Sequence, residues 1–203
     1  MRKLKEYVKR GITYVISGVP QKIVKVPVAQ IQYGGILEGK KILITGGSRG
    51  LGYAIANRCQ EEKAVVTITG RSKEVLEEAK KSLGNPENLF VFEHDVRQYD
   101  KDDELILNAR RAMNGIDCLI NNAGVSVHNI DYSNCTEEQW DRQMDTNLKG
   151  VYFLTQAYMK YYEEVGKKSG KIINMVSERG LYGDDVPYGM AKRALISYTE
   201  GLA

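Results

Sequence analysis

The chain has 203 residues, enough for one domain with a proper core, and its 42% hydrophobic and 27% charged composition fits a globular rather than a disordered or fibrous protein. A net charge of +3 is too small to suggest nucleic acid as a partner; residues 1–41 hold nine Lys/Arg against Glu6 and Glu38, leaving −4 for the remainder. Cys59, Cys118 and Cys135 are odd in number without metal-ligand spacing, and no apolar run suits a membrane span or signal peptide. Reduced thiols, no metal and a cytoplasmic setting are therefore expected.

Residues 1–40 read as a basic N-terminal extension or linker, with the main domain expected over 41–203. Leu4, Tyr7, Val8, Ile12 and Val15 fall at helical spacing with Lys3, Lys5, Lys9 and Arg10 between them, which predicts a short basic amphipathic helix. Packing on the protein's own body or on a second subunit is favoured over contact of residues 1–16 with a membrane. Pro20, Pro27 and the Gly34-Gly35 pair interrupt any longer element.

Ile42, Leu43 and Ile44 predict a buried strand, and Thr45-Gly46-Gly47-Ser48-Arg49-Gly50-Leu51-Gly52 predicts a glycine-rich turn feeding a helix. Such glycines let backbone approach a ligand, and the helix offers unpaired N–H groups and the positive end of its dipole to a pyrophosphate. Leu51, Ala54, Ile55, Arg58 and Cys59 form the expected sheet-facing side of that helix. A strand over Val65–Thr69 follows, then a helix capped by Ser72 that runs through Leu83 and is closed by Gly84. Next come a strand over Leu89–Phe92, a helix over Asp102–Met113, and a strand over Cys118–Ile120. A helix runs from Glu137 through Asn147 and beyond, a strand spans Lys171–Val176, and a last helix begins near Tyr188. This alternation predicts a doubly wound, Rossmann-like parallel sheet whose ligand lies at the carboxyl ends of the strands.

Four further motifs occur in order: Asn121-Asn122-Ala123-Gly124, Asn147 in Asp145-Thr146-Asn147, Ser177 at the end of the fifth strand, and Tyr188-Gly189-Met190-Ala191-Lys192. With the glycine turn, they resemble the short-chain dehydrogenase/reductase family over roughly residues 38–203. Tyr188 and Lys192 stand one helical turn apart, and an ammonium beside a phenol favours the phenolate, so the pair can give or take a proton. The resemblance assigns Ser177 to orienting the substrate oxygen and Asn147 to holding a water in a proton relay to Lys192. It gives Asp95 and Val96 to the adenine, and Asn122, Ala123 and Gly124 to lining the cofactor.

The second strand ends in Gly70-Arg71-Ser72, without the acidic residue that an NAD site usually places on the ribose 2′-hydroxyl. Arg71, with Arg49 from the glycine turn, suits a 2′-phosphate, so NADP(H) is expected over NAD(H). Tyr152, Phe153, Tyr158, Tyr161 and Tyr162 are assigned to core or subunit packing, and a homodimer or homotetramer is expected by resemblance. Trp140, His94 and His128 show no ligation pattern.

Two departures stand out. Only a short loop, with the acidic pair Asp184-Asp185 expected to disfavour anionic substrates, separates Ser177 from Tyr188. The chain also ends at Ala203, where family members continue, which predicts a C-terminally truncated chain with an uncovered sheet edge. The function expected is NADP(H)-dependent interconversion of an alcohol and a ketone or aldehyde; the alternative is a catalytically silent nucleotide-binding or interaction protein.

Overall fold

The computed structural model describes Lys5, residues 34–167 and residues 170–203. The predicted helix at Leu4–Val15 and the membrane contact at residues 1–16 lie outside the described residues, Lys5 apart. Among the described residues five strands, β1 (Lys41–Thr45), β2 (Val65–Gly70), β3 (Leu89–Glu93), β4 (Cys118–Asn121) and β5 (Lys171–Asn174), form one parallel sheet in the order β3-β2-β1-β4-β5. The order reverses between β1 and β4, which opens a crevice beyond their carboxyl ends. The glycine turn after β1 and the Asn121–Gly124 loop after β4 both empty into it.

Among the described residues six helices accompany the sheet: α1 (Gly50–Glu61), α2 (Lys73–Ser82), α3 (Asp102–Met113), α4 (Glu137–Met144), α5 (Gly150–Glu164) and α6 (Pro187–Leu202). The central strands are buried on both faces, as a parallel sheet between helix layers requires. Ile42, Ile44, Val66, Ile68 and Ile120 meet Ala56 and Cys59 of α1 and Leu76 and Ala79 of α2 on one side. Leu43 and Leu119 meet Leu105, Ile106 and Met113 of α3 and Leu154 and Tyr158 of α5 on the other. Tyr161 and Tyr162 join that second core, whereas Tyr152 and Met159 are exposed on α5.

Local signals account for most of the helix ends. Ser72 Oγ accepts from the Val75 N–H at 3.3 Å, Thr136 and Gln139 form a reciprocal capping box on α4, and Pro187 sits at the first turn of α6. Asn114, in the left-handed region at φ 56°, ends α3.

Three expectations are corrected. Ile55 and Cys59 pack on the sheet side of α1 as expected, but their companions there are Gly52 and Ala56, while Leu51, Ala54 and Arg58 are exposed. A Cβ on Gly52 would collide with the Gly46 carbonyl oxygen and the Asn122 amide, so the helix closes on the loops through its smallest residues rather than its largest. The long helix from Glu137 runs on through Asn147 and beyond, but not regularly: it widens into a π-type turn at Asp145–Lys149. There the Asn147 side chain donates to the Gln143 carbonyl at 2.8 Å, displacing the regular ladder. β5 stops at Asn174, so Ser177 lies beyond the strand, capping a 3₁₀ turn at Glu178–Gly180.

Candidate active site at the carboxyl edge of the sheet

The glycine turn is held closed by its own backbone. Gly46 has φ 65°, and a Cβ there would lie 2.9 Å from Ala123 Cα; the Gly47 N–H bonds the Thr69 carbonyl at 3.0 Å. Gly50 (φ 58°) has nothing within 4 Å of the position its Cβ would take, so its outer side faces open space. The first turn of α1 carries no acidic residue, leaving its N–H groups and dipole free to meet an anion. Leu51 stands 67% exposed at this mouth, and Arg49, the extended residue before α1, is also exposed.

Thr45 ties this turn to the loop after β4. Its Oγ1 accepts from the backbone N–H groups of Asn122 and Ala123, both at 3.0 Å, and the Asn122 side chain donates back to the carbonyls of Thr45 (2.9 Å) and Gly46 (3.1 Å). Asn122 thus acts on the crevice by holding its two walls together. The Thr45 contribution was not anticipated, although a hydroxyl at the last strand position before the turn was visible in the sequence.

Arg71 is exposed at the end of β2 and close enough to Asp95 to lower its pKa. Arg97 dominates that carboxylate, reaching Oδ2 at 2.6 Å, and its hydrogen bonds hold Asp95 below the usual carboxylate range. Val96 is buried beside it, and the N–H of His94, the residue before Asp95, bonds the Gly70 carbonyl at 2.8 Å. Three arginines, 49, 71 and 97, therefore belong to the loops at this end of the sheet. Arg97 escaped the sequence reading because nothing in its spacing marks it.

On the other side of the crevice, Asn147 is fully buried in the wide turn. Its Oδ1 accepts from the Val125 N–H at 3.1 Å, and its Nδ2 donates to the Val125 carbonyl at 2.7 Å as well as to Gln143. A Cβ on Gly124 would stand 3.0 Å from that Oδ1 and 3.8 Å from Lys192 Nζ, so Gly124, Asn147 and Lys192 converge on one small volume. Lys192 is 4% exposed, its ammonium 5.8 Å from the centre of the Tyr188 ring and 2.7 Å from the Met175 carbonyl that accepts from it. Burial lowers its pKa to about 8.

Residues 40–203 match the family described as short chain dehydrogenase. The chain belongs to the short-chain dehydrogenase/reductase family. An NADP-dependent (R)-specific alcohol dehydrogenase of Lentilactobacillus kefiri is 35% identical over 148 residues, which are 73% of this chain and 58% of that enzyme. An uncharacterized oxidoreductase of Staphylococcus aureus strain USA300 is 33% identical over 82% of this chain and 71% of its own length. A short chain dehydrogenase of Bacillus anthracis superposes with a TM-score of 0.75 at 35% identity, covering 81% of this chain and 69% of that one. The family consists of oxidoreductases that bind a nicotinamide cofactor, and its Rossmann-like sheet is the one described above.

Ser177 remains near the site but is held differently from a strand-end residue. Its Oγ accepts from the Arg179 N–H at 3.3 Å, which leaves the hydroxyl proton free to donate. The acidic pair in the loop after it divides. Asp184 is buried in an ion pair with Arg179, and only Asp185 is exposed, so the expectation of two carboxylates repelling anions is corrected to one. Among the described residues no cluster of His, Cys, Asp or Glu is arranged to hold a metal, and no helix is long and apolar enough to cross a membrane.

Proposed function

We propose that this chain is an NADP(H)-dependent oxidoreductase that interconverts an alcohol and a ketone or aldehyde, with Tyr188 as the proton-exchanging group. The observation carrying this reading is the buried Lys192 ammonium, anchored to Met175 one helical turn from Tyr188 and beneath the Gly124–Asn147 contact. With the ammonium fixed on the same helix face, the Tyr188 hydroxyl is the group placed to donate to a developing alkoxide or accept from an alcohol. Ser177 has the free proton needed to orient the substrate oxygen. Asn147, whose side chain is engaged with Val125 and Gln143, fixes the turn from which a water relay to Lys192 would run.

The glycine cradle suits a dinucleotide: the open side of Gly50 and the unpaired start of α1 fit a pyrophosphate. Gly46, Ser48, Arg49, Gly50, Leu51 and Gly52 would hold the phosphates, with Arg49 and Arg71 on a 2′-phosphate. Asp95 and Val96 would bracket the adenine, and Asn122, Ala123, Gly124, Tyr188 and Lys192 would flank the nicotinamide half. When bound, the nicotinamide supplies or accepts the hydride. The name of the 35% identical relative, an NADP-dependent alcohol dehydrogenase, supports both the cofactor and the substrate class.

A homodimer or homotetramer belongs to the same reading, supported by the exposed Tyr152 and Met159 on α5, and residues 1–40 are proposed as an N-terminal extension whose last residues, from Gly34 on, are held on the catalytic domain through Glu62. Fluorescence titration with NADPH and NADH, followed by ketone and aldehyde reduction by wild type and Tyr188→Phe, tests the function. Tighter NADPH binding and turnover abolished by Tyr188→Phe are expected; binding without Tyr188-dependent turnover would leave a silent nucleotide-binding protein.

A further inference from the structure

The ten-residue stretch from Ser177 to Val186 connects the end of β5 to α6, and so carries one candidate catalytic side chain at its start and delivers another just past its end. Its path is braced by contacts that no family motif includes. Arg179 presents its guanidinium edge to Asp184, Nη2 to Oδ1 and Nε to Oδ2, each at 2.6 Å, a two-pronged pair across the loop. The Asp184 side chain is only 6% exposed while that of Arg179 is 50% exposed, so the carboxylate is the buried partner and the guanidinium closes over it. The same carboxylate accepts from the Val186 N–H at 3.2 Å and fills the space above Gly189, which a Cβ there would occupy. At the other end, the Arg179 N–H bonds Ser177 Oγ at 3.3 Å. One arginine–aspartate pair thus links the hydroxyl of Ser177 to the first turn of the helix bearing Tyr188.

Two further contacts make the brace directional. A Cβ on Gly180 would lie 2.9 Å from the Lys192 carbonyl carbon, so the 3₁₀ turn rests directly on α6, and Arg193 donates to the carbonyls of Gly180 (3.2 Å) and Leu181 (3.1 Å). Those contacts hold the near half of the loop against the helix. The far half, Tyr182 to Asp185, has exposed positions at 182, 183 and 185 and is drawn in through Asp184.

We propose that Arg179 and Asp184 are positioning residues, a charged staple that sets the placement of Ser177 relative to Tyr188; this rests on the redox reading above. A guanidinium fork fixes both distance and angle, which a single lysine contact does not. Loss of the staple loosens the reacting constellation without touching the glycine cradle, so it acts on kcat rather than on cofactor binding.

The test compares Arg179→Ala, Asp184→Ala, Asp184→Asn and the double alanine variant with wild type in NADPH affinity, in kcat and KM for a reducible ketone, and in amide hydrogen exchange at Val186. The expected result is a fall in kcat of about 10-fold or more in each alanine variant, with the double variant no worse than the worse single one and NADPH affinity unchanged within about twofold. Asp184→Asn, which keeps the shape over Gly189 but not the ion pair, falls between. Unchanged kcat in Asp184→Ala, additive losses in the double variant, or an equal loss of NADPH affinity would overturn the proposal. Should wild type turn over nothing, the redox reading fails and exchange decides alone: faster exchange at Val186 in both Arg179→Ala and Asp184→Ala supports the staple, and unchanged exchange rejects it.

Discussion

The Nζ of Lys192 donates a 2.7 Å hydrogen bond to the carbonyl oxygen of Met175, so the amine one turn past Tyr188 is fastened to the chain just beyond β5. This contact gives the ammonium a single neutral acceptor in a site that is otherwise desolvated, and its pKa falls to about 8 as a result of that burial.

A stability signature follows from that depression. The unfolded chain titrates the same amine near its ordinary value of about 10.4, so between pH ~8 and ~10.4 the unfolded state binds more protons than the folded one. Raising the pH through that window therefore increases stability, by about 3 kcal/mol from this group, and lowering it towards 8 removes the gain. Lys192→Met, which has no proton to lose, lacks this contribution. Thermal unfolding followed by circular dichroism from pH 7.5 to 10.5 should show the wild type gaining on the variant as pH rises; parallel curves would contradict it.

Asn147 provides a second measurable effect. Replacing it with Leu keeps the branched heavy-atom skeleton but leaves the Val125 N–H and the carbonyls of Val125 and Gln143 without their partner inside a fully buried turn. A cost of about 2–4 kcal/mol is expected, read as a lowered urea midpoint at unchanged slope. A midpoint within experimental scatter of wild type would mean that the wide turn holds without its side chain.

Gly52→Ala tests the close approach of α1 to the loops beneath it. The new methyl meets backbone at the Gly46 carbonyl and the amide of Asn122, neither of which is the end of a flexible chain. The helix start has to shift, costing about 1–3 kcal/mol, and NADPH affinity should fall together with thermal stability. Gly50→Ala separates space from backbone conformation. Its Cβ meets nothing within 4 Å, but φ 58° strains any side chain there, so stability should drop by only about 1 kcal/mol.

Much of this was legible because the deciding interactions are local. α3 occupies the predicted Asp102–Met113, bounded by acidic residues at its start and a left-handed Asn114 at its end, and Ser72 caps α2 through a bond three residues away. The parallel pairing of the strands follows from strand–helix alternation. The phase of α1 was not legible, because apolarity points to Leu51 while the geometry demands Gly52; steric fit between a helix and two loops distant in sequence decided it. The wide turn at Asp145–Lys149 depends on Asn147 reaching Val125, a contact 22 residues away that no periodicity encodes. The same holds for Asp184, whose neighbour Asp185 looks identical in sequence and is exposed where Asp184 is buried.

Glu62 fixes the segment that enters β1 and offers the last test. Its Oε2 accepts from three consecutive backbone N–H groups, Gly34 (2.8 Å), Gly35 (2.9 Å) and Ile36 (3.1 Å), while Oε1 pairs with Arg58. The Ile36 N–H leads in holding this carboxyl below its usual range, with Gly34, Gly35 and Arg58 adding to it against the opposing effect of desolvation. Because the folded pKa is the lower one, the stabilisation is present above the ordinary carboxylate range and disappears as pH falls through the folded value. Glu62→Gln keeps one acceptor oxygen but loses the charge. Amides 34–36 should therefore lose exchange protection at neutral pH, and the gap in melting temperature between wild type and variant should close on acidification below pH ~4. A gap that stays constant as the pH is taken well below ~4 would show that the carboxylate's charge is not what holds the three N–H groups.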